Sequence, residues 1–313
     1  VCQILQRPIN SGVGEFHEGT EESLMVFIES TVAKNDPLAL VDAVDAFCYS
    51  RHWMMNVGDI KGKDLDIGIE LAIKTARAKG TPCIIVELGS YCGYSAVRIG
   101  HQLSEEYNDM VISIDNEPKC IEFTRRMVKH SNLQKVVQLI QAPAGDCIKQ
   151  VKEMMIERYK QPVENNTSLN IDKDIDVDQL CIDMLLVDHE KTLYYKDLCI
   201  FEDSGLLKTG SVVVSDNVLS FGQPKQDLLD HVRHSGKYSS SILYISTLEY
   251  TAEGIIFGSI SKSESDSDSQ SNNGKYNNDY IGYMDEDDKK LLTPLCATTE
   301  HDGVDGVEIS IYK

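Results

Sequence analysis

From residue 82 onward the chain alternates short, almost wholly apolar, β-branched runs with amphipathic segments. The apolar runs are Cys83–Glu87, Val111–Asp115, Val136–Gln141, Met184–Asp188 and Ser211–Ser215, and helical patterns fall at 94–104, 118–131, 144–158, 194–205 and 224–235. Strands that alternate with helices read as βαβ units joined into a parallel sheet. Near-continuous hydrophobicity within each run means that helices cover both faces of that sheet. A last pair, Ser241–Glu249 and Val307–Tyr312, is expected to close a sheet edge with one antiparallel member.

Ahead of the sheet, residues 1–80 read as a helical front end. Thr20-Glu21-Glu22 leads into Leu24, Phe27 and Ile28 at helical spacing. Asp36-Pro37 opens a second helix, with proline at the first helical position and Leu38, Leu40, Val41, Val44 and Phe47 on its apolar side. Residues 63–79 form a third, ending at Gly80. No internal repeat is present, and a single domain over 1–313 is expected. Two stretches read as insertions. Residues 159–178 are polar and lack periodicity. Residues 262–290 carry Glu264, Asp266, Asp268, Asp279 and the run Asp285-Glu286-Asp287-Asp288, too little apolar surface to fold alone. The second insertion is expected to be a disordered loop, with recruitment of a partner as the alternative.

Charge narrows the function classes. With 50 acidic against 30 basic residues and a formal net charge of −20, the chain is a poor match for a phosphate backbone, so no nucleic-acid partner is expected. Small cationic ligands such as protonated amines are weakly favoured. The nine cysteines are scattered and include no CxxC pair, which fits reduced thiols in a cytoplasmic protein. Asn165-Asn166-Thr167 is a formal glycosylation sequon without any other secretory sign. No apolar run approaches the roughly 20 residues of a membrane helix, so no membrane partner is expected.

Three features carry chemistry. The run Val86-Glu87-Leu88-Gly89-Ser90-Tyr91-Cys92-Gly93-Tyr94-Ser95 takes a strand through an acidic residue into a glycine turn and a helix, where a ligand can approach the backbone. It also suits an ordinary strand-to-helix turn. Asp115, at the end of the next strand, is placed to accept hydrogen bonds from ribose hydroxyls, although Pro118 beyond it equally suits a helix cap. Third, Asp188 ends the fourth strand, and Asp216 and Asn217 end the fifth. Neighbouring parallel strands lie ~4.8 Å apart, close enough for these oxygens to share one cation. Two carboxylates and an amide oxygen suit Mg²⁺, which keeps positions open for water and substrate; helix capping is the alternative.

Taken in order, the motifs resemble the catechol O-methyltransferase family. Trp53-Met54-Met55-Asn56-Val57-Gly58-Asp59-Ile60-Lys61-Gly62 is similar to one family segment, and Glu87-Leu88-Gly89-Ser90-Tyr91-Cys92-Gly93-Tyr94-Ser95-Ala96-Val97-Arg98 to the family's cofactor motif. Asp188-His189, Lys191, Tyr194 or Tyr195, Gly205-Leu206-Leu207, Gly210-Ser211, Asp216-Asn217-Val218 and Leu248-Glu249-Tyr250 follow in the same order. The ending Asp305-Gly306-Val307-Glu308-Ile309 looks closer to fungal and other lower-eukaryotic members. The resemblance runs from about residue 36 to 313, interrupted by the two insertions.

The resemblance implies an α/β, doubly wound, seven-stranded and mostly parallel sheet of the Rossmann-like class I methyltransferase type. It implies S-adenosylmethionine and Mg²⁺ as cofactors, a small-molecule catechol as substrate, and a cytoplasmic monomer that methylates one catechol hydroxyl. Met55 and Val57 match positions that flank the cofactor, Glu87, Gly89, Tyr91 and Ser95 those that hold its amino-acid portion, Asp115 the ribose position and His189 one that contacts adenine, with Asn116, Ala144 and Asp188 also in the cofactor site. Asp188, Asp216 and Asn217 match the metal ligands, Lys191 the proton acceptor, and Glu249 the carboxylate that holds the other hydroxyl. Trp53, Lys191, Asn217, Phe221 and Glu249 line the substrate slot. Glu190, Ala144-Gly145 and Phe221 depart from the animal pattern, the first two near the adenine and the last beside the substrate. The alternatives are an O-methyltransferase of another vicinal-diol phenol, such as a caffeoyl-type ester or flavonoid, and a non-catalytic cofactor-binding interaction protein.

Overall fold

The computed structural model describes residues 19–161, 179–219, 225–247, 249–250 and 304–313. The second insertion, the sequon and Phe221 fall outside the described residues, as does all but the start of the first insertion.

Three helices lead: α1 (Thr20–Thr31), α2 (Pro37–Ser50) and α3 (Gly58–Lys79). Asp36 caps α2, its Oδ1 accepting from the Ala39 amide at 3.0 Å. The third helix begins five residues before the position its periodicity marks, because Gly58 and Gly62 are not breakers. Gly62 makes room for the Arg98 guanidinium: a Cβ on it would lie 2.5 Å from Arg98 Cζ.

The sheet strands are β1 (Ile84–Leu88), β2 (Met110–Asp115), β3 (Val137–Gln141), β4 (Ile182–Val187), β5 (Leu207–Ser215), β6 (Tyr238–Thr247) and β7 (Val304–Tyr312). The helices between them are α4 (Tyr94–Gly100), α5 (Pro118–His130), α6 (Ile148–Tyr159), α7 (Tyr194–Asp203) and α8 (Gln226–His234). The predicted helix over 144–158 is split: a 3₁₀ turn at Ala144–Asp146 precedes α6. The helix then runs through Tyr159, so the first insertion starts later than its polarity suggests.

Strand order is β3-β2-β1-β4-β5-β7-β6. The pairs from β3 to β5 are parallel, and β7 runs antiparallel to both β5 and β6. The last strand therefore does not form the edge; it wedges between β5 and β6.

The central strands β1, β2 and β4 are buried on two sides, as near-continuous apolar runs require. Ile85, Val111, Met184, Leu186, Val212 and Val214 pack against α1 to α5. The alternate residues, among them Ile84, Val86, Ile112, Leu185 and Val213, pack against α6, α7 and α8 with Val151, Leu198, Phe201 and Leu228.

The chain goes out from β1 to β3 and returns to β4 on the other side of β1, so the switch point lies between β1 and β4. Ligands of open α/β sheets sit beyond the carboxyl ends of strands at such a point. The register sets what arrives there. Leu88 pairs with Val187, and Val187 with Ser215. The Asp188 amide then donates to Leu88 O at 3.1 Å and the Asp216 amide to Val187 O at 3.2 Å. Gly89, Asp188 and Asp216 thus leave the sheet side by side. At Gly89 (φ +95°) a Cβ would lie 2.5 Å from Asp188 O, so only glycine lets the two loops meet.

The helical front end is tied to the sheet by a buried carboxyl. Asp45 on α2 accepts from Tyr94 OH at 3.0 Å and from Tyr250 OH, just past β6, at 2.6 Å. Burial pushes the Asp45 carboxyl up to about 7. The folded state therefore binds this proton more tightly than the unfolded chain does. The group favours the fold below the ordinary carboxyl range, and that contribution is lost as pH rises toward about 7. In Asp45→Asn the fall of Tm with rising pH across that window should be shallower than in wild type, as measured by calorimetry. Parallel Tm curves would refute the assignment.

Candidate active site

At the carboxyl edge of β4 and β5 two lysines organise a cluster of oxygens. Lys191, in the 3₁₀ turn that opens α7, lies three residues after Asp188. Its Nζ donates to Asp188 Oδ1 at 2.8 Å, to Asn217 Oδ1 at 2.7 Å and to Tyr194 OH at 2.6 Å. Tyr194 in turn donates to the Asp216 carbonyl at 3.1 Å. Asn217 holds its place with a left-handed backbone (φ 54°), an amide bond to Asp216 Oδ1 at 2.8 Å and a side-chain bond to Asp305 Oδ2 at 2.6 Å.

Below this layer sits Lys61, wholly buried on α3. Its Nζ is 2.9 Å from Asp216 Oδ1, 3.0 Å from Glu249 Oε2 and 2.7 Å from Asp305 Oδ2. Burial opposes the Lys61 charge, but the Asp216, Glu249 and Asp305 carboxylates outweigh it and hold the ammonium well above its usual range. Desolvation pushes Asp216 up to about 8 despite Lys61, with Asp188 and Asp305 adding to the rise. The Glu249 carboxyl is raised by burial in the same way.

The cluster is graded from wet to dry. The side chains of Lys191 and Asp188 are 24% and 15% exposed, those of Asp216 and Lys61 only 4% and 1%. Asp188 and Asn217 meet at one point, whereas Asp216 turns its carboxylate toward Lys61 and joins them through the Asn217 amide and the Tyr194 hydroxyl. Trp53 borders the same place: its Nε1 donates to the Glu249 carbonyl at 3.0 Å.

A second group lines the switch point. Glu87 is fully buried, and burial pushes its carboxyl up to about 7. Ser113 Oγ donates to Glu87 Oε2, while Glu87 Oε1 has no hydrogen-bond partner among the described residues. Asp115 shapes the glycine loop, its Oδ2 accepting from the Ser90 and Tyr91 amides at 3.0 and 3.1 Å. Tyr91 (φ 43°) reaches back to Glu21 on α1, its hydroxyl 2.9 Å from Oε1.

His189 stacks on Tyr194 with ring centroids 5.3 Å apart. Its Nε2 pairs with Asp197 Oδ2 at 2.9 Å, and its buried Nδ1 has no hydrogen-bond partner among the described residues. Gly145 makes room for that pair, since a Cβ there would come within 3.0 Å of Asp197 Oδ1. Ser95, Ala144 and Val57 are buried, Met55 is 40% exposed, and Asn116 is exposed in the turn after β2.

Lys61, Asp305 and Tyr194 are the participants that residue-by-residue reading left without a role. The signal was present: Lys61 and Asp305 each stand inside a motif of the resemblance. A lysine in a helix is ordinarily a solvated face, and only the sheet topology brings it under β5 and β7.

A methyltransferase-domain family model matches residues 86–218, which span the glycine loop through Asn217. Catechol O-methyltransferase of Mus musculus is 32% identical over 230 residues, covering 74% of this chain and 74% of that one. The Bos taurus enzyme of the same name is 31% identical over 231 residues, covering 74% and 72%. The solved structure of the O-methyltransferase from Bacillus cereus in complex with SAH is 14% identical, with a TM-score of 0.47 over 95% of this chain and 99% of that one.

The doubly wound sheet and the matched segment define a methyl-transferring enzyme with a Rossmann-like fold. The chain belongs to the catechol O-methyltransferase family, a family of S-adenosylmethionine-dependent O-methyltransferases. The enzyme reading therefore stands over the non-catalytic alternative. Among the described residues no helix is long and apolar enough to cross a membrane.

Removing the Lys61 ammonium would strand three carboxylates in the interior. Lys61→Met is expected to cost about 3–5 kcal/mol of stability, the penalty for leaving buried charge uncompensated. Chemical denaturation measures this directly. A loss below about 1 kcal/mol, the range of an exposed pair, would show that the cluster is solvated.

Proposed function

We propose that this enzyme transfers the methyl group of S-adenosylmethionine to one hydroxyl of a catechol, with Mg²⁺ as the second cofactor. The observation that supports this best is the convergence on Lys191 Nζ of oxygens from the ends of β4 and β5, with Glu249 and Trp53 bordering the same cluster. Oxygens that hold one ammonium are hard donors of the kind Mg²⁺ takes. Asp188 and Asn217 would hold the ion where their oxygens now meet, and Asp216 would join them by turning from Lys61. When bound, it would orient two vicinal oxygens and favour an ionised hydroxyl.

The remaining roles belong to the chain. Glu87 Oε1 suits the ammonium of the cofactor's amino-acid portion, beside Gly89, Tyr91, Ser95, Met55 and Val57. Asp115 and Asn116 face the ribose, and the free His189 Nδ1 and Ala144 face the adenine. Lys191 Nζ takes the proton of the attacking hydroxyl. Glu249 accepts a hydrogen bond from the neighbouring hydroxyl, and Trp53 forms one wall of the slot. Holding the oxygen in line with the sulfonium methyl contributes about 7–11 kcal/mol through orientation alone. The substrate is a small molecule, and the protein acts as a single-domain cytoplasmic monomer without nucleic-acid or membrane partners.

The test is a radiolabelled methyl-transfer assay over a panel of catechols, caffeoyl esters and flavonoids, with and without Mg²⁺. Turnover of simple catechols should vanish on chelation and return with Mg²⁺. Lys191→Ala should lower kcat by about 10²–10⁴, the usual weight of a positioned base, while cofactor affinity persists. Wild-type turnover by Lys191→Ala would remove the assigned base, and preference for a bulky ester over simple catechols would change the substrate.

A further inference from the structure

At the far end of α7 from Tyr194 lies a cluster that the methyl-transfer reading does not use. Cys199 and Glu202 are three residues apart on α7 and so share one face of the helix. His231 projects onto that face from α8. The ligand atoms of Cys199, Glu202 and His231 all lie within 4.8 Å of one another. His231 Nε2 is 2.9 Å from Glu202 Oε1.

We propose that Cys199, Glu202 and His231 form a second metal site, selective for a thiophilic divalent ion such as Zn²⁺ and separate from the carboxylate cluster at the end of β4 and β5. A thiolate, an imidazole and a carboxylate are the donor types zinc takes, and the sulfur distinguishes the site from one for Mg²⁺. Zinc bonds of about 2.0–2.3 Å in tetrahedral geometry place ligand atoms about 3.2–3.6 Å apart. The three side chains need only modest shifts of the Cys199 and His231 rotamers to reach it. Three protein ligands leave the fourth position to water.

The surroundings are built to aim the carboxylate. Tyr238 OH donates to Glu202 Oε1 at 2.6 Å, and Lys237 Nζ donates to Oε2 at 2.6 Å. Such outer partners orient a metal-binding carboxylate as they do in established sites. Each oxygen keeps its outer partner when the ion replaces the His231 contact. Ring edges of Tyr195 and Tyr238 flank His231, with centroids 5.2 and 6.2 Å away. The Glu202 side chain is wholly buried, whereas Cys199 is partly exposed and Lys237 is 40% exposed, which gives an ion a route in. Binding exchanges the Cys199 thiol proton for the metal bond, and the proton leaves to solvent.

Metal-stripped full-length protein titrated with Co²⁺, in an excess of Mg²⁺, tests this by absorbance. One equivalent should produce a thiolate-to-cobalt charge-transfer band that Zn²⁺ abolishes. Cys199→Ser, a near-isosteric change at a partly exposed position, should lose the band while keeping the wild-type circular dichroism spectrum. His231→Ala should weaken Zn²⁺ at least about tenfold in competition with a chromophoric chelator, since even outer partners cost 10–100-fold. No band in the wild-type protein, a band that survives Cys199→Ser, or unchanged Zn²⁺ affinity in His231→Ala would each overturn the proposal.

Discussion

One ammonium, carried on a helix that precedes the sheet, is enclosed by carboxylates from three segments that follow it. Lys61 meets Asp216 at the end of β5, Glu249 just past β6 and Asp305 on β7. Each carboxylate alone would be costly in so dry a place, and so would the lysine. Their shared contacts with the one ammonium tie the front end, the parallel sheet and the antiparallel β7 to one another. Asp305 then passes the constraint outward through Asn217 to Lys191 and Asp188. The chemistry-bearing layer is thus suspended from a structural one, and the two share their acids.

The same economy runs along the switch point. Asp115 is spent on the amides of the glycine loop, and Gly89 lets that loop touch the turn after β4. Among the described residues six buried side-chain atoms lack a hydrogen-bond partner, and two of them, Glu87 Oε1 and His189 Nδ1, lie at the switch point. Unpaired buried polar atoms are expensive, and under the proposed function these two would be satisfied by a ligand that carries an ammonium and a nitrogen heterocycle.

Departures from the animal family pattern also acquire a physical setting. Gly145 leaves the space that Asp197 occupies beside His189. Glu190 lies exposed and caps the turn that carries Lys191, its Oε1 3.2 Å from the Thr192 amide.

The sequence by itself determined the βαβ alternation, the five parallel strands to within a few residues, the helical front end, and the strand ends from which Asp188, Asp216 and Asn217 emerge. Those features are local: a two-residue or 3.6-residue period is written in neighbouring side chains. Only the tertiary structure decided that the last strand lies inside the sheet, that Gly62 is a packing residue rather than a helix breaker, and that Lys61, Asp305 and Tyr194 belong to the site. Each of these depends on partners far away in sequence, Lys61 and Asp305 being 244 residues apart. Burial, not identity, turns a helical lysine into the centre of a charge cluster, and no local pattern encodes how deep a residue will lie.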